Sequence, residues 1–169
     1  YTSQLINVLL FAIYLGRKRG TLSRDAARPL LRDALKLPVR VQKLIQDDAR
    51  VKRCAQKFQR GYDFMFIGRG YNLATAYEGA LKMKEISYLN ADGYGAGEMK
   101  HGPLAQVDRS MRVVEVAGNG RVTEKMITKR QEIKARRGCL MAVVTKGRKL
   151  RIAEVLFVNP LSRGMYSRM

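Results

Sequence analysis

The stretch DFMFIGRG, Asp63 to Gly70, decides the fold. Phe64 to Ile67 form a compact apolar run of strand length that stops at Gly68-Arg69-Gly70, where glycine permits a tight turn. An amphipathic helix, about Asn72 to Leu89, follows at once. The GRG triplet matches neither the Walker phosphate loop nor a complete GxGxxG fingerprint, and a plain strand-to-helix turn accounts for its glycines.

The same alternation continues downstream. SMRVVEVAG supplies a strand near Arg112–Val116, TEKMITKRQEIKARRG a helix closed by Gly138, CLMAVVTKG a strand near Leu140–Val144, and AEVLFVNP another near Val155–Val158. A short strand near Ala91–Gly93 is expected to join them. Strands separated by helices of this length predict parallel β-α-β units, hence an α/β fold with a doubly wound parallel sheet in an α/β/α sandwich. In such sheets ligands gather at the carboxyl ends of the strands.

Upstream the texture is helical. LINVLLFAIYL, Leu5 to Leu15, is the most apolar run. Eleven residues are too few to span a bilayer, and the basic cluster Arg17–Arg19 follows the run instead of preceding it, unlike a signal peptide. Residues 1–20 therefore read as one buried helix ended by Gly20, and residues 21–60 as a helical connector in which Pro38 separates helices. Residues 61–169 hold the sheet.

Composition narrows the function classes. With 46% apolar residues the chain can pack a core. The net charge is +19, from 33 Lys+Arg against 14 Asp+Glu. These cations form no stripe interleaved with aromatics and no RNA-recognition, KH or zinc-finger signature, so a solvated basic surface is favoured over nucleic-acid binding. Cys54 and Cys139 lack metal-ligand spacing and read as reduced, inert thiols of a cytoplasmic protein; no metal or cofactor is expected.

Two places carry candidate chemistry. Glu78, Lys82 and Glu85 fall at i, i+4 and i+7 on one helix face, while Ala76, Gly79, Ala80, Met83 and Ile86 form a neighbouring face suited to packing on a sheet. The charged stripe fits either an exposed set of ion pairs or a carboxylate tuned by a cation for proton transfer. The second place is EMKHGPLAQVD, Glu98 to Asp108, which carries the chain's one histidine, His101. An imidazole titrates near neutral pH and suits acid–base chemistry, although a lone loop histidine is more often structural.

The segment GRGYNLATAYEGALKMKEISYLNADGYGAGEMKHGPLAQVD, Gly68 to Asp108, resembles the sugar-isomerase (SIS) portion of the glucosamine-6-phosphate synthase family, the glutamine–fructose-6-phosphate aminotransferases (isomerizing). EGALKMKEISY and GEMKHGPLA carry the resemblance, and YTSQLINVLLFAIYLGRKRG resembles the family's helix after its first SIS half. The resemblance implies an isomerase region of two SIS domains that makes glucosamine 6-phosphate from fructose 6-phosphate and ammonia, for amino-sugar biosynthesis. It implies that Glu85 moves the proton between C1 and C2, that Lys82 assists beside it, and that His101 opens the sugar ring in the active site of a neighbouring subunit. Sugar phosphate and a second copy are then the partners, with no cofactor, metal or membrane. A non-catalytic SIS module binding a carbohydrate derivative is the alternative.

The chain departs from the family pattern in three respects. No Ser-Gln-Ser-Gly-Glu-Thr type phosphate loop occurs in it, the helix after the second strand is unusually basic, and Glu115 interrupts the apolar VVEV. Residues 1–20 are accordingly expected to be the end of a first SIS half, and 61–169 a second SIS domain cut short at its carboxyl end. No phosphate anchor means no turnover by the isolated chain. Glu115 should sit at a strand end or meet a cation, because an unpaired buried carboxylate is costly. The apolar residues Leu5, Leu9, Phe11 and Ile13 predict association.

Overall fold

A computed structural model describes residues 1–46, 48–117, 122–145 and 156–159. The chain divides into two compact units, Tyr1–Asp47 and Asp48–Met169.

The first unit is helical. Helix α1, Thr2–Lys18, passes through Arg19 to Gly20, which takes φ +70°. Ile13 turns inward, whereas Leu5, Val8, Phe11 and Tyr14 are exposed and Leu9 is half-buried. The exposed apolar set therefore differs in part from the four residues read from the sequence. Helix α2, Arg24–Leu35, starts on Ser23, whose Oγ accepts from the Ala26 N–H at 3.1 Å. It stops at Lys36, and α3 runs Leu37–Gln46 with Pro38 in its first turn. The break thus falls two residues before the proline, since Pro is tolerated where an N–H has no helical partner.

The second unit opens with α4, Ala49–Phe58, and then forms a five-stranded sheet in which every pairing is parallel. Its strands are β1, Asp63–Gly68; β2, Asn90–Gly95; β3, Arg112–Val116; β4, Cys139–Thr145; and β5, Leu156–Asn159, in spatial order β2-β1-β3-β4-β5. Helix α5, Asn72–Ser87, links β1 to β2, and α6, Val122–Ala135, links β3 to β4. All five expected strands are present, and the doubly wound parallel reading holds.

The turn after β1 needs both its glycines. A Cβ on Gly68 would lie 2.2 Å from the Asn72 carbonyl oxygen, and Gly70 takes φ +58°. Helix α6 ends differently from expectation. Arg137, not a glycine, holds the left-handed position at φ 64°, with its N–H on the Lys134 carbonyl at 2.9 Å. Gly138 comes one residue later and donates to the Ile133 carbonyl at 3.1 Å, completing a Schellman end. Glycine is required there by crowding, because a Cβ would meet Val107 Cγ1 at 2.6 Å.

The core lies in two layers, one on each face of the sheet. Phe64, Phe66 and Val114 pack with Ala76 and Ala80 of α5. Gly79 lets the helix sit close, since a Cβ there would stand 2.8 Å from the Phe66 ring. Met65, Ile67, Val113 and Leu140 face the opposite way and pack with Met126 and Ile133 of α6 and with Met99 and Val107 of the β2–β3 connection.

The chain's oddest strand residue finds its reason in this second layer. Glu115 is fully buried, and Arg130 of α6, 2% exposed, grips it through Nε and Nη2 at 2.6 Å each. A bidentate guanidinium satisfies the carboxylate geometrically as well as electrically. Replacing both partners by apolar groups is commonly neutral, whereas removing one strands a buried charge. Arg130→Met should therefore lower unfolding free energy by about 3–5 kcal/mol, with most of it recovered in Glu115→Leu/Arg130→Met. Urea denaturation checks this, and a single variant as stable as the parent would contradict it.

Candidate functional site

The site residues read from the sequence reach the surface on two different elements. Glu78, Lys82 and Glu85 share the outer face of α5, because spacings of three and four residues stack side chains along a helix. Lys82 Nζ pairs directly with Glu85 Oε2 and lies 3.9 Å from Glu78 Oε1. Side chains of Lys82 and Glu85 are about half exposed. The hydrogen bond to Glu85 pushes the Lys82 ammonium above the usual lysine range, against desolvation, which lowers it. Lys84, between Lys82 and Glu85 in the chain, binds Asp92 of β2 at 2.7 Å, tying the end of α5 to the sheet edge. Tyr88 leaves the helix at φ 58° and is exposed.

His101 lies elsewhere. The β2–β3 connection forms two 3-10 turns, Glu98–His101 and Pro103–Gln106, hinged on Gly102 at φ 134°. Met99 is fully buried beneath the first turn, so the turn is anchored to the α6 face while His101 points outward. The connection closes on Asp108, whose Oδ1 accepts from Ser110 Oγ at 2.6 Å and from the N–H groups of Ser110 and Met111 at 2.8 and 3.1 Å. Those bonds, Ser110's first, hold the Asp108 carboxyl below the usual carboxylate range.

Glu85 and His101 consequently occupy opposite faces of one sheet. Helix α5 covers the Phe64/Phe66 face and the histidine turn covers the Met65/Ile67 face. No hydrogen bond or ion pair joins His101 to Lys82 or Glu85. The geometry assembles the lysine–carboxylate pair within one chain and leaves the imidazole apart.

Sequence reading passed over Lys100, Lys129 and Glu132. Glu132 Oε2 takes Lys129 Nζ at 2.9 Å and its Oε1 takes Lys100 Nζ at 3.2 Å, linking α6 to the turn that carries His101. Burial pushes the Glu132 carboxyl up, but the two ammonium groups outweigh it and hold it below its ordinary value. The i, i+3 spacing of Lys129 and Glu132 was the available signal; Lys100 lies too far away in sequence to be paired by pattern. Beside this link runs an open cleft of about 680 Å³, lined by Lys100, Leu104, Glu132 and Arg136 among others.

Among the described residues no cluster of three His, Cys, Asp or Glu could hold a metal ion, and no helix is long and apolar enough to cross a membrane. Cys54 is buried, and that burial raises its thiol pKa, opposed by Lys57.

A five-stranded parallel sheet packed on both faces by its crossover connections defines an α/β domain. The SIS domain model matches residues 63–154, and the chain belongs to that family. A glutamine–fructose-6-phosphate aminotransferase (isomerizing) from Thermus thermophilus is 44% identical over 147 residues, 87% of this chain and 24% of the relative. One from Thermococcus kodakarensis is 38% identical over 160 residues, 95% of this chain and 27% of the relative. The chain thus spans about a quarter of the length of these curated relatives. The C-terminal domain of glucosamine-fructose-6-phosphate aminotransferase from Francisella tularensis superposes with a TM-score of 0.86 at 29% identity, over 94% of this chain and 45% of that one.

The Lys82–Glu85 pairing has a direct signature. Because the folded-state pKa of Lys82 is raised, the stabilisation from this pairing is fully present below the ordinary lysine pKa and is lost as pH rises through the raised value. In a lysine side-chain NMR titration, Lys82 should titrate above the other surface lysines and move down in Glu85→Gln. A Lys82 titration indifferent to that substitution would contradict the pairing.

Proposed function

We propose that this chain is part of the isomerase region of a glutamine–fructose-6-phosphate aminotransferase, with Lys82 and Glu85 on α5 acting on a sugar phosphate and His101 serving the site of a second copy. The observation that carries this reading is the exposed Lys82–Glu85 pair on α5, with the chain's one histidine held on the other face of the sheet. The family to which the chain belongs, and the names of its relatives, support the substrate class.

Each role follows from the chemistry. Fructose 6-phosphate is held mainly as a ring, and opening it moves a proton from the anomeric hydroxyl and delivers one to the ring oxygen. An exposed imidazole, which can both accept and donate a proton, suits both transfers. Ammonia then replaces the C2 carbonyl oxygen as an imine. Glu85 removes a proton from C1, giving the enolamine, and returns a proton at C2 while the C1 hydroxyl gives up its own proton, leaving an aldehyde at C1 and an amine at C2. One carboxylate beside both carbons can perform both transfers. The Lys82 ammonium fixes that carboxylate in orientation and supplies positive charge where oxygen becomes negative.

This reading also makes the working unit at least a dimer, in the cytoplasm, feeding amino-sugar synthesis. The phosphate handle lies outside this sequence, whose loops include no serine-rich cradle. Remote phosphate binding positions the reacting carbons, so its loss lowers turnover as well as affinity.

The test places this chain in the Thermus thermophilus relative in exchange for the matching 147 residues. Glu85→Gln in that chimaera should reduce glucosamine 6-phosphate formation by about 10²–10⁴-fold, and His101→Ala should slow ring opening. The isolated 169-residue chain should give no measurable conversion. A chimaera indifferent to Glu85→Gln would overturn the catalytic reading in favour of a non-catalytic carbohydrate-binding module, and robust turnover by the isolated chain would overturn the need for an external phosphate anchor.

A further inference from the structure

Within the proposed reading, the role of His101 requires that its turn be held in one place, and the apolar anchors of the turn, Met99 and Leu104, flank His101 without including it. Met99 is anchored in the core and Leu104 packs against the same cluster, but His101 and Gly102 between them are exposed, and Lys100, Gly102 and Leu104 border an open cleft of about 680 Å³. Gly102, at φ 134°, sits between the two 3-10 turns and gives the backbone freedom at that point. Among the described residues a polar link crosses from α6 to the first turn: Lys100 Nζ to Glu132 Oε1 at 3.2 Å. Its carboxylate is not floppy. Lys129, whose side chain is 10% exposed, takes the other oxygen at 2.9 Å and so points Glu132 at the turn.

We infer that Glu132 is a positioning residue for His101, acting through Lys100, with Lys129 orienting the carboxylate. The inference rests on the reading of His101 as the ring-opening group. Lys100 is adjacent to His101 in the chain, so a link at Lys100 Nζ limits rotation of the turn about Met99 and Gly102 and narrows the directions the imidazole samples. Both oxygens of Glu132 are engaged by cations, which keeps it ionised at neutral pH and the link intact. A link between a mostly exposed lysine and a mostly buried carboxylate is modest in strength, and screening by salt weakens it. Its loss should shift the population of the working orientation by about two- to fivefold rather than abolish it.

The single histidine makes the test clean, because its imidazole gives one set of ring signals in the NMR spectrum of this chain. Glu132→Gln and Lys100→Met should each shift and broaden the His101 ring signals, and added salt should do the same to the parent. Lys100→Arg, which keeps the charge, should leave them sharp, and the Ile133 and Leu140 methyl signals should stay in place throughout as a check on folding. In the chimaera, Glu132→Gln should slow enzyme-catalysed anomer exchange of glucosamine 6-phosphate by about two- to fivefold. Hydrogen exchange at C2, started from open-chain substrate and reporting on Glu85, should be unaffected. Unchanged His101 signals and unchanged anomer exchange in Glu132→Gln, with His101→Ala still slow, would overturn the positioning role and leave the ring-opening reading standing. His101→Ala without effect on anomer exchange would overturn both.

Discussion

Handedness of the crossovers governs this domain. Right-handed connection is nearly obligatory for parallel β-α-β units. From β1 the chain steps outward to β2, so α5 falls on one face; from β3 it steps the other way to β4, so α6 falls on the other. The connection from β2 to β3 passes over β1 in the same direction as the β3–β4 step and lands on the α6 face. The topology therefore separates Lys82 and Glu85 from His101 before any side chain is placed. No local substitution can bring these groups together within one sheet, and on the proposed reading a second copy unites them.

That separation gives each face its own task. The α5 layer is built for close approach: Gly79, Ala76 and Ala80 bring the helix down on Phe64 and Phe66, and the charged residues are left on the outer side with solvent access. The α6 layer is built on larger side chains, Met65, Ile67, Met126 and Ile133, and on two polar links. One, Glu115 with Arg130, is buried and rigid; the other, Glu132 with Lys100 and Lys129, reaches the surface turn. Two of the cations of α6, Lys129 and Arg130, are thus matched by acids they meet in the fold.

Most of the sheet was legible because its signals are local. DFMFIGRG, SMRVVEVAG and CLMAVVTKG each pair an apolar run with a turn or helix signal, and the lengths between them leave little choice but parallel pairing. Boundaries were less legible: α5 ends at Ser87 because Tyr88 takes a left-handed conformation that non-glycine residues rarely advertise, and α6 ends through Arg137 for the same reason. In the site, Lys82 and Glu85 were readable from helical spacing. Glu115 was readable as a problem but not as a solution, since its partner Arg130 lies fifteen residues away. Lys100 and Glu132 escaped notice because thirty-two residues and a strand separate two halves of one ion pair, and periodicity carries no information over that distance.

The central claim is that one working site draws Lys82 and Glu85 from one copy and His101 from another. Mixing two impaired forms of the chimaera, one carrying Glu85→Gln and the other His101→Ala, tests it most directly. If the site is shared, subunit exchange creates mixed dimers with one fully intact site, and turnover should rise above that of the separate variants toward about a quarter of the parent's. If Glu85 and His101 served the same site from the same chain, every site in every mixture would lack one of them, and turnover would stay at the level of the separate variants.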